Sequence, residues 1–464
     1  MLPKTKIIAT LGPVSFDKIP DLEKEGVSIF RINGAHVNPE KGREIVGQIR
    51  SQAPSAKIML DLAGPKIRVG KLWKEPLCLS PGARVRLVGK KEGCEGEIPI
   101  VYDHLEEELG SHHRVFLADG SIQIEILGKS EKGLEGKVIY GGYLLSRKGV
   151  NFPDIPTHLP CLTEKDKEDL EWGIQAGVDM FSLSFVRQGE DVKELKKRIQ
   201  DLGGKVPVIA KLEKPQALEN LSQIMAEADG VMVARGDLGI EVAYQEIGIH
   251  QRRIIQEALI HAKPVITATQ LLLSMVEHPF PTRAEVTDIT HAVWEGTDCL
   301  MVSDETAGGK YPKEAVRVLR EVIQAAEKEE AKHHHLIPFR KTSFPILQHS
   351  VCYGAYSLAE RVGAKGILAS TEHGSTPRIL ASYRPKQPIY AFTNSISTHT
   401  LLSLCRGVHP VLLEGRNHGR AQKDEMVQYI LQKGLLQKGD PVVLIGTSPF
   451  ESGEKTNWME VIFL

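Results

Sequence analysis

Eight short runs rich in Val and Ile, each followed by an amphipathic stretch, constrain this chain more than any other feature. They are KIIAT (6–10), VSIFRI (27–32), KIMLDL (57–62), VDMFSLSF (178–185), PVIAKL (207–212), DGVMVA (229–234), PVITAT (264–269) and DCLMVS (298–303). Near-continuous apolar runs suit strands buried on both faces, and parallel strands need a long crossover, usually a helix. The segments 17–26, 163–177 and 189–203 carry apolar residues at three-to-four spacing and end at Gly, as helices do. Eight such units close a (β/α)8 TIM barrel. The expected fold class is therefore α/β, with the barrel built from residues 1–69 and 150–335.

Residues 70–149 have another character. ARVRLVG, HRVFLAD, SIQIEIL and GKVIYGG are short alternating runs separated by Gly, Lys and Glu. They predict a small all-β domain inserted in a βα loop, where it can act as a lid over the catalytic face. The barrel pattern fades near Glu330, and AKHHHLIPFRKTSFP (331–345) reads as a linker, with His333–His335 a solvated loop rather than a metal site. Beyond it, KGILAS, QPIYAFT, VHPVLL and DPVVLIG read as strands between helices, so residues 346–464 form a C-terminal three-layer α/β domain.

Bulk numbers remove several classes. A formal net charge of -1 gives no support for a nucleic-acid or anionic-membrane partner. No apolar run approaches the length that crosses a bilayer. The six cysteines form no CxxC pair, which favours reduced thiols and a cytoplasmic protein. There is no GxxxxGK[ST] and no GxGxxG after a strand, so neither a P-loop nor a dinucleotide fingerprint is present.

Almost every expected strand ends in charge. Strand two gives Arg31 and Asn33; strand three Asp61, with Lys66 and Arg68 beyond; strand four Ser184 and Arg187; strand five Lys211 and Glu213. Strand six gives Arg235 and Asp237, strand seven Thr269 and Gln270, and strand eight Ser303, Asp304 and Glu305. Barrel enzymes place their catalysts at these carboxyl ends. Glu213 and Asp237 are hard oxygen donors suited to one Mg²⁺. Arg31, Arg68, Arg235 and Lys211 form a cationic set that calls for phosphate and carboxylate. The Gly-Asp-Leu-Gly turn at 236–239 lets backbone N–H groups approach an anion. Positioned cations around a loose transition state are what phosphoryl transfer requires. An aldolase or lyase on a pyruvate-type barrel would use the same carboxylates without Lys211; a degenerate barrel sensing sugar phosphates is the non-enzymatic alternative.

The stretches KTKIIATLGPVS (4–15), LDLAGPKIRVG (60–70), IAKLEKPQALENL (209–221), DGVMVARGDLGIEV (229–242), KPVITATQLLLSM (263–275) and PTRAEVTDITHAVWEG (281–296) resemble pyruvate kinase. The resemblance covers the whole chain and implies transfer of a phosphoryl group from phosphoenolpyruvate to ADP, giving pyruvate and ATP. It implies catalytic roles for Lys211, Thr269 and Arg31. It implies a substrate pocket of Arg31, Lys211, Ser184, Ala234, Arg235, Gly236, Asp237 and Thr269. It places Mg²⁺ or Mn²⁺ on Glu213 and Asp237, and nucleotide beside Thr10, Pro13, Asn33, His36, Arg68 and Lys148. Thr269 would act through a water relay, because a hydroxyl is too weak an acid alone. A homotetramer with a phosphorylated allosteric effector is also implied.

The chain departs from the family pattern at Ala35, Leu62, Lys66 and Asp304. The first two lose oxygen donors of the usual K⁺ site, and Lys66 adds a cation. The ammonium of Lys66 is expected to replace K⁺ beside Asn33 and Asp61, as in the potassium-independent branch, so K⁺ is not required. In the C-terminal domain, Ser370, Thr371, Gly374, Ser375 and Thr376 lie in a loop suited to an effector phosphate.

Overall fold

The computed structural model describes residues 2–155, 158–333, 335–340, 342–413, 420–447 and 456–464. Eight parallel strands close into a barrel: β1 (Lys6–Leu11), β2 (Val27–Asn33), β3 (Lys57–Asp61), β4 (Met180–Leu183), β5 (Val208–Leu212), β6 (Gly230–Ala234), β7 (Val265–Ala268) and β8 (Cys299–Val302). Each neighbours its predecessor in sequence, and β8 returns to β1. All eight expected runs are strands.

Alternation along each strand explains how so apolar a barrel is filled. Ile8, Ile29, Met59, Met180, Ile209, Met232, Ile266 and Met301 point inward as one cluster. Their neighbours, such as Ile7, Phe30, Ile58, Phe181 and Val231, pack outward against the helices. The helices are held where their sequences predict: Thr163 and Asp166 form a capping box at Glu164–Gln175, as do Thr282 and Glu285 at Arg283–Glu295.

The insert follows β3. A six-stranded sheet and a two-stranded one enclose an apolar core that draws in Ile67, Val69, Val150 and Phe152 as well as residues within 70–149. The chain enters and leaves along two paired extended segments. Val69 N donates to Lys148 O at 2.9 Å, and Val150 N to Ile67 O at 3.0 Å. This double strand connects the insert to the barrel.

The C-terminal domain has five strands: β9 (Gly366–Ser370), β10 (Ile389–Thr393), β11 (Val408–Leu412), β12 (Pro441–Gly446) and β13 (Trp458–Phe463). Their order is β11-β10-β9-β12-β13, with β13 antiparallel. Ile367 and Val443 face one helical layer, Leu368 and Leu444 the other, which gives the three layers expected. The edge strand β13 lies beyond the expected set, because it is half-exposed and its sequence lacks a buried run. The linker lies on this domain: Ile337 N donates to Tyr356 Oη at 3.0 Å, and Arg340 stacks over Tyr383. His333 sits exposed beside Glu329, and His334 lies outside the described residues.

Candidate active site

The parallel register lines up the polar strand ends. Thr10 lies level with Arg31, Asn33 with Asp61, and Asp61 with Ser182. Asp61 is therefore the hub. Its Oδ2 accepts from Arg31 Nε at 3.0 Å, Arg31 Nη2 at 2.5 Å and Lys211 Nζ at 3.3 Å, and its Oδ1 from Ser182 Oγ at 2.6 Å. Lys211 also donates to Ser184 Oγ at 2.7 Å and lies 2.9 Å from Glu213 Oε1. Phe185 sits in the left-handed region at φ 56°, which turns its N–H onto Glu213 Oε2 at 2.8 Å. Backbone strain of this kind collects at functional sites.

These groups shift one another's protonation. Burial alone would pull Lys211 down, but Asp61 and Glu213 outweigh it and hold the ammonium above its ordinary pKa. Burial pushes Asp61 up, yet Lys211 and Arg31 win and lower it. Glu213 goes the other way: burial raises it, and Lys211 offsets only part of that, with Asp237 adding to the rise.

The cluster opens into a cleft of ≈ 1030 Å³, counting the solvent at its mouth. Barrel residues Arg31, Asp61, Ser184, Lys211, Glu213 and Asp237 line one wall. Asn33, His36, Lys66 and Arg68 also line the cleft, with Asp119, Arg147 and Lys148 of the insert; Lys66 meets Asp119 and Arg68 donates to Arg147 O. The cleft is thus rich in cations, with a carboxylate pair on one side. That pair fits a divalent cation. Glu213 is buried, and the Lys211 ammonium at 2.9 Å is the one charge answering its Oε1 among the described residues. Two hard oxygen donors and no third His, Cys, Asp or Glu among the described residues leave coordination positions for substrate oxygens.

Several expected residues lie elsewhere. Arg235 does not join the cationic set: its guanidinium pairs with Asp288 at 2.6 Å and caps Thr269 O at 2.8 Å. The Gly-Asp-Leu-Gly segment is not a turn but part of the helix Arg235–Glu241, which starts directly after β6. Gly236 N is already used, donating to Thr269 Oγ1 at 2.7 Å, and that hydroxyl donates to Ala268 O. Thr269 and Gln270 both hold positive φ, 67° and 54°. Thr10 is buried and anchors Arg31 Nη1 at 3.0 Å, while Pro13 is exposed outside the cleft lining. Ala234 is buried at the end of β6.

Lys66 also takes partners other than those expected. Its ammonium lies 3.4 Å from Asp237 Oδ1 and 3.6 Å from Asp119 Oδ1. Asp61 is already saturated by Arg31, Lys211 and Ser182, and Asn33 Oδ1 accepts from Ala35 N. Asp304 is exposed and outside the cleft lining. Its neighbour Glu305 is the buried one, accepting from Leu272 N and Ser303 N. In the C-terminal loop, Gly374 N donates to Thr371 Oγ1, Ser375 Oγ accepts from Gln348, and Thr376 Oγ1 pairs with Thr456. Ser370 closes β9.

Asp119, Arg147 and Ser182 were missed in the sequence. Ser182 could have been found by counting two residues back from Ser184 to the same face of β4. The insert residues carried no signal, since only the fold brings them to the cleft.

Comparison with known proteins identifies the family and the fold. The family described as pyruvate kinase, barrel domain, matches residues 2–316, and pyruvate kinase, alpha/beta domain, matches residues 349–462. The chain is 37% identical to a pyruvate kinase of Thermotoga maritima over 99% of both chains. It is 35% identical to one of Thermococcus litoralis, over 99% of this chain and 98% of that one. A crystal structure of a pyruvate kinase from Cryptosporidium parvum superposes with a TM-score of 0.90 at 31% identity, covering 99% of this chain and 96% of that chain.

Proposed function

This chain belongs to the pyruvate kinase family, and from that premise we propose that it transfers the phosphoryl group of phosphoenolpyruvate to ADP in a Mg²⁺-dependent, K⁺-independent reaction. The observation that carries the reading is Lys211, an ammonium held charged between Asp61 and Glu213 and directed into a cleft shared with Asp237.

Glu213 and Asp237 would hold the cation, which, when bound, neutralises charge on the substrate's phosphate and carboxylate oxygens. Arg31, fixed by Thr10 and Asp61, and Lys211, fixed by Ser184, would grip the phosphoryl oxygens from two sides. Their positions are set before substrate arrives, so little reorganisation remains for the transition state. His36, Arg68 and Lys148 bracket the entrance and suit the nucleotide, with Asn33 beside them. Thr269 is our candidate for the protonation side; its hydroxyl would have to leave Ala268 O and donate to a water that protonates the enolate carbon. Closure of the insert would exclude water and bring Asp119 and Lys148 over the ligands.

K⁺ independence rests on Lys66, which brings a fixed ammonium into the cleft that Asn33 and Asp61 also line, 3.4 Å from Asp237 Oδ1 rather than against those two residues. The Ser370–Thr376 loop remains our candidate for effector phosphate, with a cytoplasmic homotetramer as the working assembly. Exposed Tyr244, Ile249 and Phe280 offer apolar surface for subunit contacts. The test is a lactate-dehydrogenase-coupled assay with Mg²⁺, run in Na⁺ and in K⁺ and with a panel of sugar phosphates and nucleotides. ADP-dependent pyruvate formation at equal rates in both salts is expected. No pyruvate, or a rate that rises many-fold in K⁺, refutes the activity or the K⁺ assignment respectively.

A further inference from the structure

The connection between insert and barrel carries a buried polar junction that the chemistry above does not use. Glu241 closes the helix Arg235–Glu241, whose first turn holds Asp237. Its Oε1 accepts twice, from Asn151 Nδ2 at 2.7 Å and from Lys214 Nζ at 2.6 Å. Its Oε2 has no partner among the described residues, so the charge is answered through one oxygen. Lys214 directly follows Glu213. Asn151 lies in the strand by which the chain leaves the insert, paired with Phe116 of the insert's sheet.

One oxygen therefore joins three segments: the exit of the insert, the loop that carries Glu213, and the helix that carries Asp237. Glu241 and Asn151 are both buried, and the Glu241 side chain is 1% exposed. A buried, charge-assisted junction contributes geometry more surely than net stability. Groups that hydrogen-bond metal ligands orient them; Glu241 acts one step further out, on the segments that bear Glu213 and Asp237.

We propose that Glu241 is a positioning residue that sets the spacing of the Glu213 and Asp237 carboxylates, and hence divalent-cation affinity, in response to the stance of the insert. Lys214 fixes the two metal-bearing segments to each other. Asn151 adds the insert to the same oxygen, so movement of the insert reaches the metal carboxylates without any insert residue touching the ion. The inference rests on Glu213 and Asp237 being the metal pair.

The test uses Mn²⁺ as probe, titrated into the full chain without substrates and followed by the EPR signal of the free ion. Glu241→Gln keeps an acceptor for Asn151 but removes the charge facing Lys214; it should weaken Mn²⁺ about 10-fold. Lys214→Gln, at the outer edge of the junction, keeps a donor and removes the opposite charge, and should weaken Mn²⁺ in the same direction. The double variant should be no weaker than the worse single, because both act through one bond. In steady state the singles should raise the half-saturating Mg²⁺ more than they lower kcat. Unchanged Mn²⁺ affinity in a folded Glu241→Gln or Lys214→Gln protein overturns the proposal, as do effects that add in the double. Glu213→Gln run alongside separates the two levels: if it binds Mn²⁺ as wild type does, the metal assignment itself has failed.

Discussion

The two ends of the barrel use the same residue types to opposite ends. At the base, the interior cluster runs on into Leu401 and Leu404 of the C-terminal domain, which plug it. Asp298 there is fully answered: Oδ1 accepts from Arg384 Nη1 and Arg406 N, both at 2.9 Å, and Oδ2 from Arg384 Nη2 at 3.0 Å and Val265 N at 3.1 Å. Arg406 in turn reaches Glu327 and Glu330. At the rim, Asp61, Lys211 and Glu213 border an open cleft, and His36, Arg68 and Lys148 are exposed around it. The difference teaches how to tell structure from site. At the base the charges join two domains; at the rim they border an open cleft that a ligand can enter.

That contrast can be broken at either end. The largest effect is expected at Glu213→Gln, which should lower kcat/KM for phosphoenolpyruvate about 10³-fold, roughly 4 kcal/mol of transition-state stabilisation, with little change in melting temperature. Asp298→Asn should do the reverse. Leaving Arg384 buried without its anion should cost about 3 kcal/mol of stability, seen in chemical denaturation, while kcat/KM of the folded protein stays near wild type. An Asp298→Asn protein with intact stability but poor turnover would erase the distinction between the ends.

Asp61 belongs to both descriptions and sharpens the comparison through pH. Its folded pKa is depressed by Lys211 and Arg31 below the ordinary 3.8. Its stabilising contribution is therefore present above that value and is lost as pH falls through the still lower folded pKa. Asp61→Asn should cost about 2 kcal/mol at neutral pH. The gap to wild type should narrow below pH 3.8, and a gap independent of pH would mean that the carboxylate charge is not what stabilises the hub. The smallest effect concerns Lys66: exchanging Na⁺ for K⁺ should change the rate less than about twofold, as a fixed ammonium leaves no gap in the charge pattern. Lys66→Glu should slow the enzyme and introduce a response to K⁺.

Much of this architecture was legible in the sequence, for physical reasons. Strands buried on both faces must be apolar throughout, so β1 to β8 stood out, and Lys211 and Glu213 share a face because strand side chains alternate. The edge strand β13 did not stand out, since half-exposed strands carry a diluted pattern. Arg235 misled because composition cannot say that a helix begins at that residue and swings its guanidinium onto Asp288. Lys66 was placed at the right cleft, but its partners depended on Asp61 being already saturated and on Asp119 arriving from the insert. Contacts made across a domain boundary leave no local trace.

The most direct test of the account is pyruvate formation by Lys211→Met, measured with Mg²⁺, ADP and saturating phosphoenolpyruvate, beside Mn²⁺ binding by the same protein. We predict a loss of about 10³-fold in kcat with Mn²⁺ still bound at Glu213 and Asp237. A variant that turns over at the wild-type rate would contradict the claim that this ammonium carries the phosphoryl group across.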